Sequence, residues 1–187
     1  MNFLVVIVSY LLGSINFAYI TARIKGIDIS SEGSGNPGTS NVLRTLGKGS
    51  AAIVLLGDLL KGAIPIIFFY QDQYFLVYGL AAVVGHIYPV FYKFKGGKGV
   101  ATYLGVYVAT VLMNPYNSDL FNIEIFQILN IPVLAFFYFV VFKTTRVSAI
   151  ASLSTVLITV SLLIYINNEI SNAVSYTHLT LPTTHDV

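Results

Sequence analysis

Residues suited to binding phosphate are concentrated in two short polar stretches. The first runs from Gly33 to Lys48 and holds Ser34, Asn36, Gly38, Thr39, Ser40, Asn41 and Arg44. Closely spaced glycines let backbone N–H groups turn towards one ligand without obstruction by Cβ atoms. Asn36 followed by Pro37 reads as a helix N-cap and first helical residue. The expected product is a short helix from residue 37 to about 46, its N-terminus aimed at an anion. Ser34, Thr39, Ser40 and Asn41 add donors, and Arg44 adds a permanent charge that matches phosphate. A flexible turn beside a surface arginine has the same composition, and the pattern alone leaves both readings open.

The second stretch, Gly85 to Thr102, carries Lys93, Lys95 and Lys98 together with Gly96, Gly97 and Gly99. Lysines and exposed amides where one helix ends and another begins suit a phosphate. The stretch is not a Walker A loop: Tyr92 stands where its first glycine belongs, and Gly99 rather than Ser or Thr follows Lys98. A membrane anchor rimmed by aromatics explains the lysines, but anchoring has no use for Gly96-Gly97-Lys98-Gly99. His86 reads as a hydrogen-bonded structural side chain, because a metal site would need a second His or nearby carboxylates. Asp58 and Lys61 lie one turn apart in an apolar run and read as a self-neutralising structural pair, with a proton relay as the competing use.

Membrane helices have to position these stretches. The chain has 187 residues, 56% hydrophobic and 10% charged, with a formal charge of +2, whereas soluble domains average about 25% charged. That composition argues against a soluble enzyme, a disordered chain and a nucleic-acid-binding domain. The absence of Cys removes disulfides, thiolate catalysis and cysteine zinc sites. Continuous rather than alternating apolar runs argue against a β-barrel. A span needs about 20 apolar residues, which predicts an all-α integral membrane protein with spans at 3–20, 50–70, 74–91, 100–113, 123–142 and 147–166. The first span lacks a following cleavage site and is read as retained. The fourth is short, and Glu124 and Gln127 stand near the start of the fifth. All Lys and Arg except Lys61 fall in the connections 21–49, 92–99 and 143–146; the intervening connections have none. The positive-inside rule then makes the three basic connections cytoplasmic and the N-terminus external.

At the two polar stretches the sequence resembles the acyl-phosphate-dependent glycerol-3-phosphate acyltransferases of bacteria, the PlsY family. Gly33 to Asn41 and Arg44 are similar to the family pattern Gly-Ser-Gly-Asn-x-Gly-Ala-Thr-Asn followed by Arg, with Thr39 for Ala and Ser40 for Thr. Gly85 to Thr102 resemble Gly-His-x-Phe-Pro-x-Phe-x-x-Phe-x-Gly-Gly-Lys-Gly-Val-Ala-Thr, with Tyr88 for Phe. Gly57 to Gly62 and Arg146-Val147-Ser148 are similar to family sequence as well. The resemblance spans about residues 1–166. It implies transfer of a fatty acyl group from acyl phosphate to glycerol 3-phosphate, giving lysophosphatidic acid and inorganic phosphate. No metal or cofactor is expected, and acyl-CoA is not the implied donor. Ser34 and Arg44 are the implied catalytic residues. Gly96, Gly97 and Gly99 are implied to bind glycerol 3-phosphate, with Lys98 on phosphate. Asn36, Gly38, Ser40, Asn41 and Lys95 join them as phosphate-binding candidates from the loop chemistry above. Implied partners are membrane lipid, the two substrates and the enzyme that forms acyl phosphate; nucleic acid is not among them. The implied location is the bacterial inner membrane, with the active site on the cytoplasmic face.

The resemblance also implies a seventh span and a later cytoplasmic motif near Arg-His-x-x-Asn-Ile-x-Arg. Here the chain passes from Ile166 into Asn167-Asn168-Glu169-Ile170-Ser171-Asn172 with no further long apolar run. Residues 174–187 read like a sequencing-library transposon adapter translated in frame. The expectation is a membrane acyltransferase domain over 1–173, a non-native tail over 174–187, and little activity in the chain as written. The alternative function is a small transporter of a phosphorylated solute, for which intramembrane Asp58 and Lys61 would be suited. The absence of an internal repeat and the placement of the cations at one face favour interfacial chemistry instead.

Overall fold

A computed structural model describes residues 1–113, 121–145, 150–151 and 154–161. Its elements are α1 (Phe3–Ser14), α2 (Phe17–Ile24), α3 (Thr39–Phe69), α4 (Phe75–Ile87), a 3-10 turn at Val90–Tyr92, α5 (Val100–Met113) and α6 (Phe121–Thr145). Among the described residues there is no strand. Among the described residues three segments, Phe3–Ile24, Thr39–Phe69 and Phe75–Tyr92, are long and apolar enough to cross a membrane, and Val100–Met113 and Pro132–Thr145 are shorter apolar helices. The expected span at 147–166 lies partly outside the described residues, and the expected tail at 174–187 lies wholly outside them.

Burial is inverted relative to a water-soluble protein. Phe3, Leu4, Ile24, Phe68, Phe91 and Phe136 are exposed, while Ser14, Asn16, Asn41, Asp58, Lys61, His86 and Thr102 are buried. An exterior of this kind is stable where lipid surrounds it, and an interior of this kind is stable only where polar groups find one another. Contacts divide the chain into Met1–Val133 and Leu134–Val187. In the second unit, Leu134 and Ala151 are buried, and Ser154 Oγ donates back to the Ile150 carbonyl at 2.9 Å.

In the first unit, α1 packs on α4 and α3 packs on α5. Both crossings are close because glycines face backbone: Gly85 meets the Tyr10 carbonyl, and Gly62 and Gly105 meet the carbonyls of Thr102 and Leu59. A side chain at any of these points would hold the helices apart. Small residues serve this purpose in lipid, where apolar surface gains nothing by leaving one hydrocarbon phase for another.

Two expected boundaries are corrected, and within the third span, matched by Phe75–Tyr92, the α-helix is shorter than expected. The span expected at 3–20 is two helices, broken at Ile15–Asn16, where both residues are extended. Asn16 causes the restart: its Oδ1 accepts from the N–H groups of Ala18 at 3.0 Å and Tyr19 at 3.2 Å. The helix expected from Pro37 begins at Thr39, with extended Gly38 rather than Asn36 as its N-cap. The Asn36 carbonyl instead closes a tight turn by accepting from Gly38 N–H at 2.9 Å. The span expected to end at Phe91 leaves the α-helix at Ile87, because Pro89 disfavours helical backbone at Tyr88 and lacks an N–H of its own. Near its start α3 is broken again at Gly47, at φ 82° and ψ 178°. Those dihedrals are open to glycine and costly for other residues. The short segment carrying Arg44 is thereby separated from the long apolar helix.

Candidate active site

The first polar loop is built around Asn41. Its side chain is buried on the first turn of α3, where Oδ1 accepts from Ser34 N–H at 2.8 Å. Its Nδ2 donates to the Glu32 carbonyl at 2.9 Å. Asn41, a phosphate-binding candidate, turns its amide onto the loop's own backbone, where it shapes the Gly33–Gly35 turn. Ser34, Ser40 and Arg44 are exposed, and Asn36 and Gly38 are half-buried. Asp28 and Ser30 form a second small turn: Ser30 donates its hydroxyl at 2.7 Å and its N–H at 3.0 Å to Asp28 Oδ1. The Ser30 hydroxyl and then its N–H hold the Asp28 carboxyl below its ordinary pKa.

The second loop is wound onto the end of α4. The Pro89 carbonyl accepts from Phe94 N–H at 3.0 Å, and the Tyr92 carbonyl accepts from Lys95 N–H at 3.0 Å. Lys93 and Phe94 both take left-handed backbone, at φ 53° and 58°. The chain then folds back over His86: the His86 carbonyl accepts from Gly97 N–H at 3.2 Å. Gly96 lies against that same carbonyl, and Gly97 lies against the ring at Nε2. Gly99 turns the chain into α5 at φ 76°. The first N–H groups of α5 have no carbonyl within their own helix to serve, and they stand beside exposed Lys95 and Lys98.

The two loops meet. A Cβ on Gly97 would sit 3.1 Å from the Pro37 carbonyl oxygen. Pro37 is two residues before α3, and Gly97 is three before α5, so the N-termini of these helices are neighbours. Two helix N-termini and their loops share one region, where positive dipole ends and exposed cations add. Tyr19 of α2 stacks on Tyr92, with centroids 4.6 Å apart and planes at 9°, and ties the second loop to the same region. Thr39 Oγ1 is buried there without a hydrogen-bond partner among the described residues.

Beneath the loops lies a polar cluster. Lys61 Nζ is 2.9 Å from Asp58 Oδ1 and donates to the Ile15 carbonyl at 2.7 Å. The helix break at Ile15 frees that carbonyl. His86 Nδ1 faces the same Asp58 oxygen at 3.5 Å. The expected Asp58–Lys61 pair is therefore formed, with His86 as a third member. Asn16 was absent from the expected site. Its Nδ2 reaches the Pro37 carbonyl at 3.5 Å, which links the helix break to the first loop. The available signal was a carboxamide within an apolar run.

A family model described as glycerol-3-phosphate acyltransferase matches residues 3–185. The chain belongs to the glycerol-3-phosphate acyltransferase family. It is 52% identical over 109 residues to a glycerol-3-phosphate acyltransferase of Aquifex aeolicus, covering 56% of this chain and 57% of that one. It is 43% identical over 164 residues to glycerol-3-phosphate acyltransferase 2 of Bacillus cereus, covering 85% and 74% respectively. Among solved structures it is similar to PlsY (YgiH), an integral membrane glycerol 3-phosphate acyltransferase, in its glycerol 3-phosphate form. The TM-score is 0.70 at 38% identity, over 88% of this chain and 76% of that one. The family assignment agrees with the inverted burial: this is an all-α integral membrane protein.

Proposed function

We propose that the converging loops bind glycerol 3-phosphate and a fatty acyl phosphate, and that the protein transfers the acyl group between them. A glycerol hydroxyl attacks the acyl carbonyl, an ester bond forms, and the bond to phosphate breaks. Inorganic phosphate leaves with the electron pair, the hydroxyl proton is released, and lysophosphatidic acid remains in the membrane. The observation that carries this reading is the close approach of Gly97 to the Pro37 carbonyl, where a Cβ would just meet it, with two helix N-termini and two cationic loops nearby. Such a site suits two phosphates, and an activated acyl donor requires mainly positioning and charge neutralisation. Arg44 is proposed to hold phosphate as a fork, with Lys95, Lys98 and the Gly96–Gly99 amides around it. Ser34, exposed at the turn that Asn41 shapes, is proposed to orient the attacking hydroxyl. Asn36, Gly38 and Ser40 complete the rim through backbone and hydroxyl groups.

The loops are proposed to face the cytoplasm of a bacterial inner membrane, where the enzyme that forms acyl phosphate can deliver it. The opposite end carries the N-terminus, where Asn2 N–H donates to Tyr78 Oη at 3.1 Å and Tyr78 donates to Asp72 at 2.7 Å. With no native Cys, single cysteines at Lys95 and Gln73 are expected to label from opposite sides, Gln73 in intact cells and Lys95 only after lysis. Labelling of Lys95 in intact cells would reverse the orientation.

The test of function is acyl phosphate with labelled glycerol 3-phosphate in unsealed membranes. Labelled lysophosphatidic acid is expected. Uptake of label that needs sealed vesicles, with no lipid product, would support a transporter instead.

A further inference from the structure

We infer that the buried Lys61–Asp58–His86 chain is a positioning device for the second loop, with His86 as its contact residue. This rests on the proposal that the loop binds phosphate, and it assigns to three intramembrane residues a role in setting that affinity. The observations form a path of close approaches, in which neither Asp58 Oδ1 nor His86 Nδ1 makes a hydrogen bond among the described residues. The break in the first span frees the Ile15 carbonyl, which receives Lys61 Nζ at 2.7 Å. Lys61 pairs with Asp58 at 2.9 Å, and the same carboxylate oxygen faces His86 Nδ1 at 3.5 Å. The other edge of the imidazole, Nε2, lies against Gly97, whose N–H is held by the His86 carbonyl at 3.2 Å. One residue thus grips Gly97 through both ring and backbone. All three side chains are nearly inaccessible, at 1% exposure for Asp58 and Lys61 and 3% for His86.

A pair needed only to neutralise itself within a span has no reason to extend to a histidine under a loop. A loop that must present amides to a phosphate does need a rigid floor, because hydrogen bonds weaken steeply as their distance and angle depart from the optimum. Glycine at 97 lets the loop sit directly on the ring, and the Pro37 carbonyl closes the far side. His86 therefore acts through Gly97 and is a positioning residue, not a catalytic one.

The test compares two variants of the full-length protein in lipid nanodiscs. His86→Ala removes the floor. Asp58→Leu with Lys61→Met removes the pair together, leaving no unpaired buried charge, while His86 stays. The first readout is amide hydrogen exchange of the peptide spanning residues 93–101, which does not depend on catalysis. The second is the Kd for glycerol 3-phosphate. Faster exchange is expected in both variants, with Kd raised about tenfold in the first and less in the second. Wild-type exchange and Kd in either folded variant would overturn the inference. So would exchange raised equally over every helix, which marks general loosening. Should His86→Ala fail to fold, the paired variant decides alone; should both fail, His86→Gln, which keeps the backbone and a polar tip but loses the flat ring, is read by the same criteria. Faster loop exchange in a protein whose wild type binds no glycerol 3-phosphate would leave the positioning role intact and defeat the functional proposal instead.

Discussion

The cluster at the helix break and the two glycine-rich loops use similar residues to opposite ends. In the cluster, Lys61 has a carboxylate and a carbonyl, Asp58 has a lysine and a histidine, and Asn16 caps a helix. In the loops, Ser34, Ser40, Arg44, Lys95 and Lys98 are exposed. The difference supports the proposal that ligand binding resides in the loops. Burial in lipid forces polar groups to satisfy one another, whereas helix N-termini at the surface keep donors available for an anion. A charge inside a span is therefore first a partner to its neighbours, and a charge beside a glycine-rich helix start stays open to a ligand.

The sharpest way to break that contrast is to unpair the cluster. Asp58→Ala leaves Lys61 buried with only the Ile15 carbonyl, and a loss of about 3–5 kcal/mol is expected. Thermal unfolding in detergent should show it, with most of the loss recovered when Asp58→Leu is combined with Lys61→Met. If the single and the paired replacement are equally stable, the cluster is not a closed polar unit. A smaller loss, about 1–3 kcal/mol, is expected from Gly62→Val, whose new side chain meets the Thr102 carbonyl and forces α3 from α5. An unchanged melting temperature would mean that this crossing tolerates wider spacing.

Changes in the loops should act mainly on ligand binding, with Arg44→Lys sparing stability and Gly97→Ala also disturbing the packing of the loop on His86. Arg44→Lys keeps the charge and loses the fork, and Gly97→Ala adds a Cβ against His86 and the Pro37 carbonyl. Each is expected to raise KM for glycerol 3-phosphate more than it lowers kcat. Kinetics that lose kcat alone would move the contribution of these residues to the transition state. The smallest effect belongs to Asp28. Its folded carboxyl titrates below its ordinary value, so its contribution is present above about pH 4 and lost as pH falls through the lowered folded value. Asp28→Asn should therefore be slightly less stable than the parent at pH 7 and indistinguishable at the acid end. A gap that widens on acidification would contradict the Ser30 turn.

Much of this architecture was legible in the residues. The apolar runs at 50–70 and 100–113 correspond to helical segments in the structure, because a continuous apolar run has few alternatives in lipid. The Asp58–Lys61 pair followed from i,i+3 spacing. The break at Ile15–Asn16 was hidden because apolar residues continue on both sides, and hydropathy averages over a single Asn. The helix start at Thr39 was misplaced because Asn36-Pro37 is a good local start, but the turn closed by Gly38 N–H prevails. The meeting of Pro37 with Gly97 could not be read locally: 60 residues separate them, and it depends on how α3, α4 and α5 pack. Asn41 shows the same limit, since a carboxamide beside glycines serves a ligand or its own loop equally well on paper.

Both loops are proposed to grip the phosphate of glycerol 3-phosphate jointly at neighbouring helix N-termini, with acyl phosphate bound beside it. The most direct test is equilibrium binding of labelled glycerol 3-phosphate to the purified protein, to Arg44→Lys, to Gly97→Ala and to the double variant. Each single change is expected to weaken a single saturable site by about tenfold, equivalent to about 1.4 kcal/mol. The double variant should be weakened by clearly less than the product of the two, because residues that grip one ligand group are energetically coupled. Independent, strictly multiplicative effects, or two separable sites each sensitive to one loop, would contradict the account.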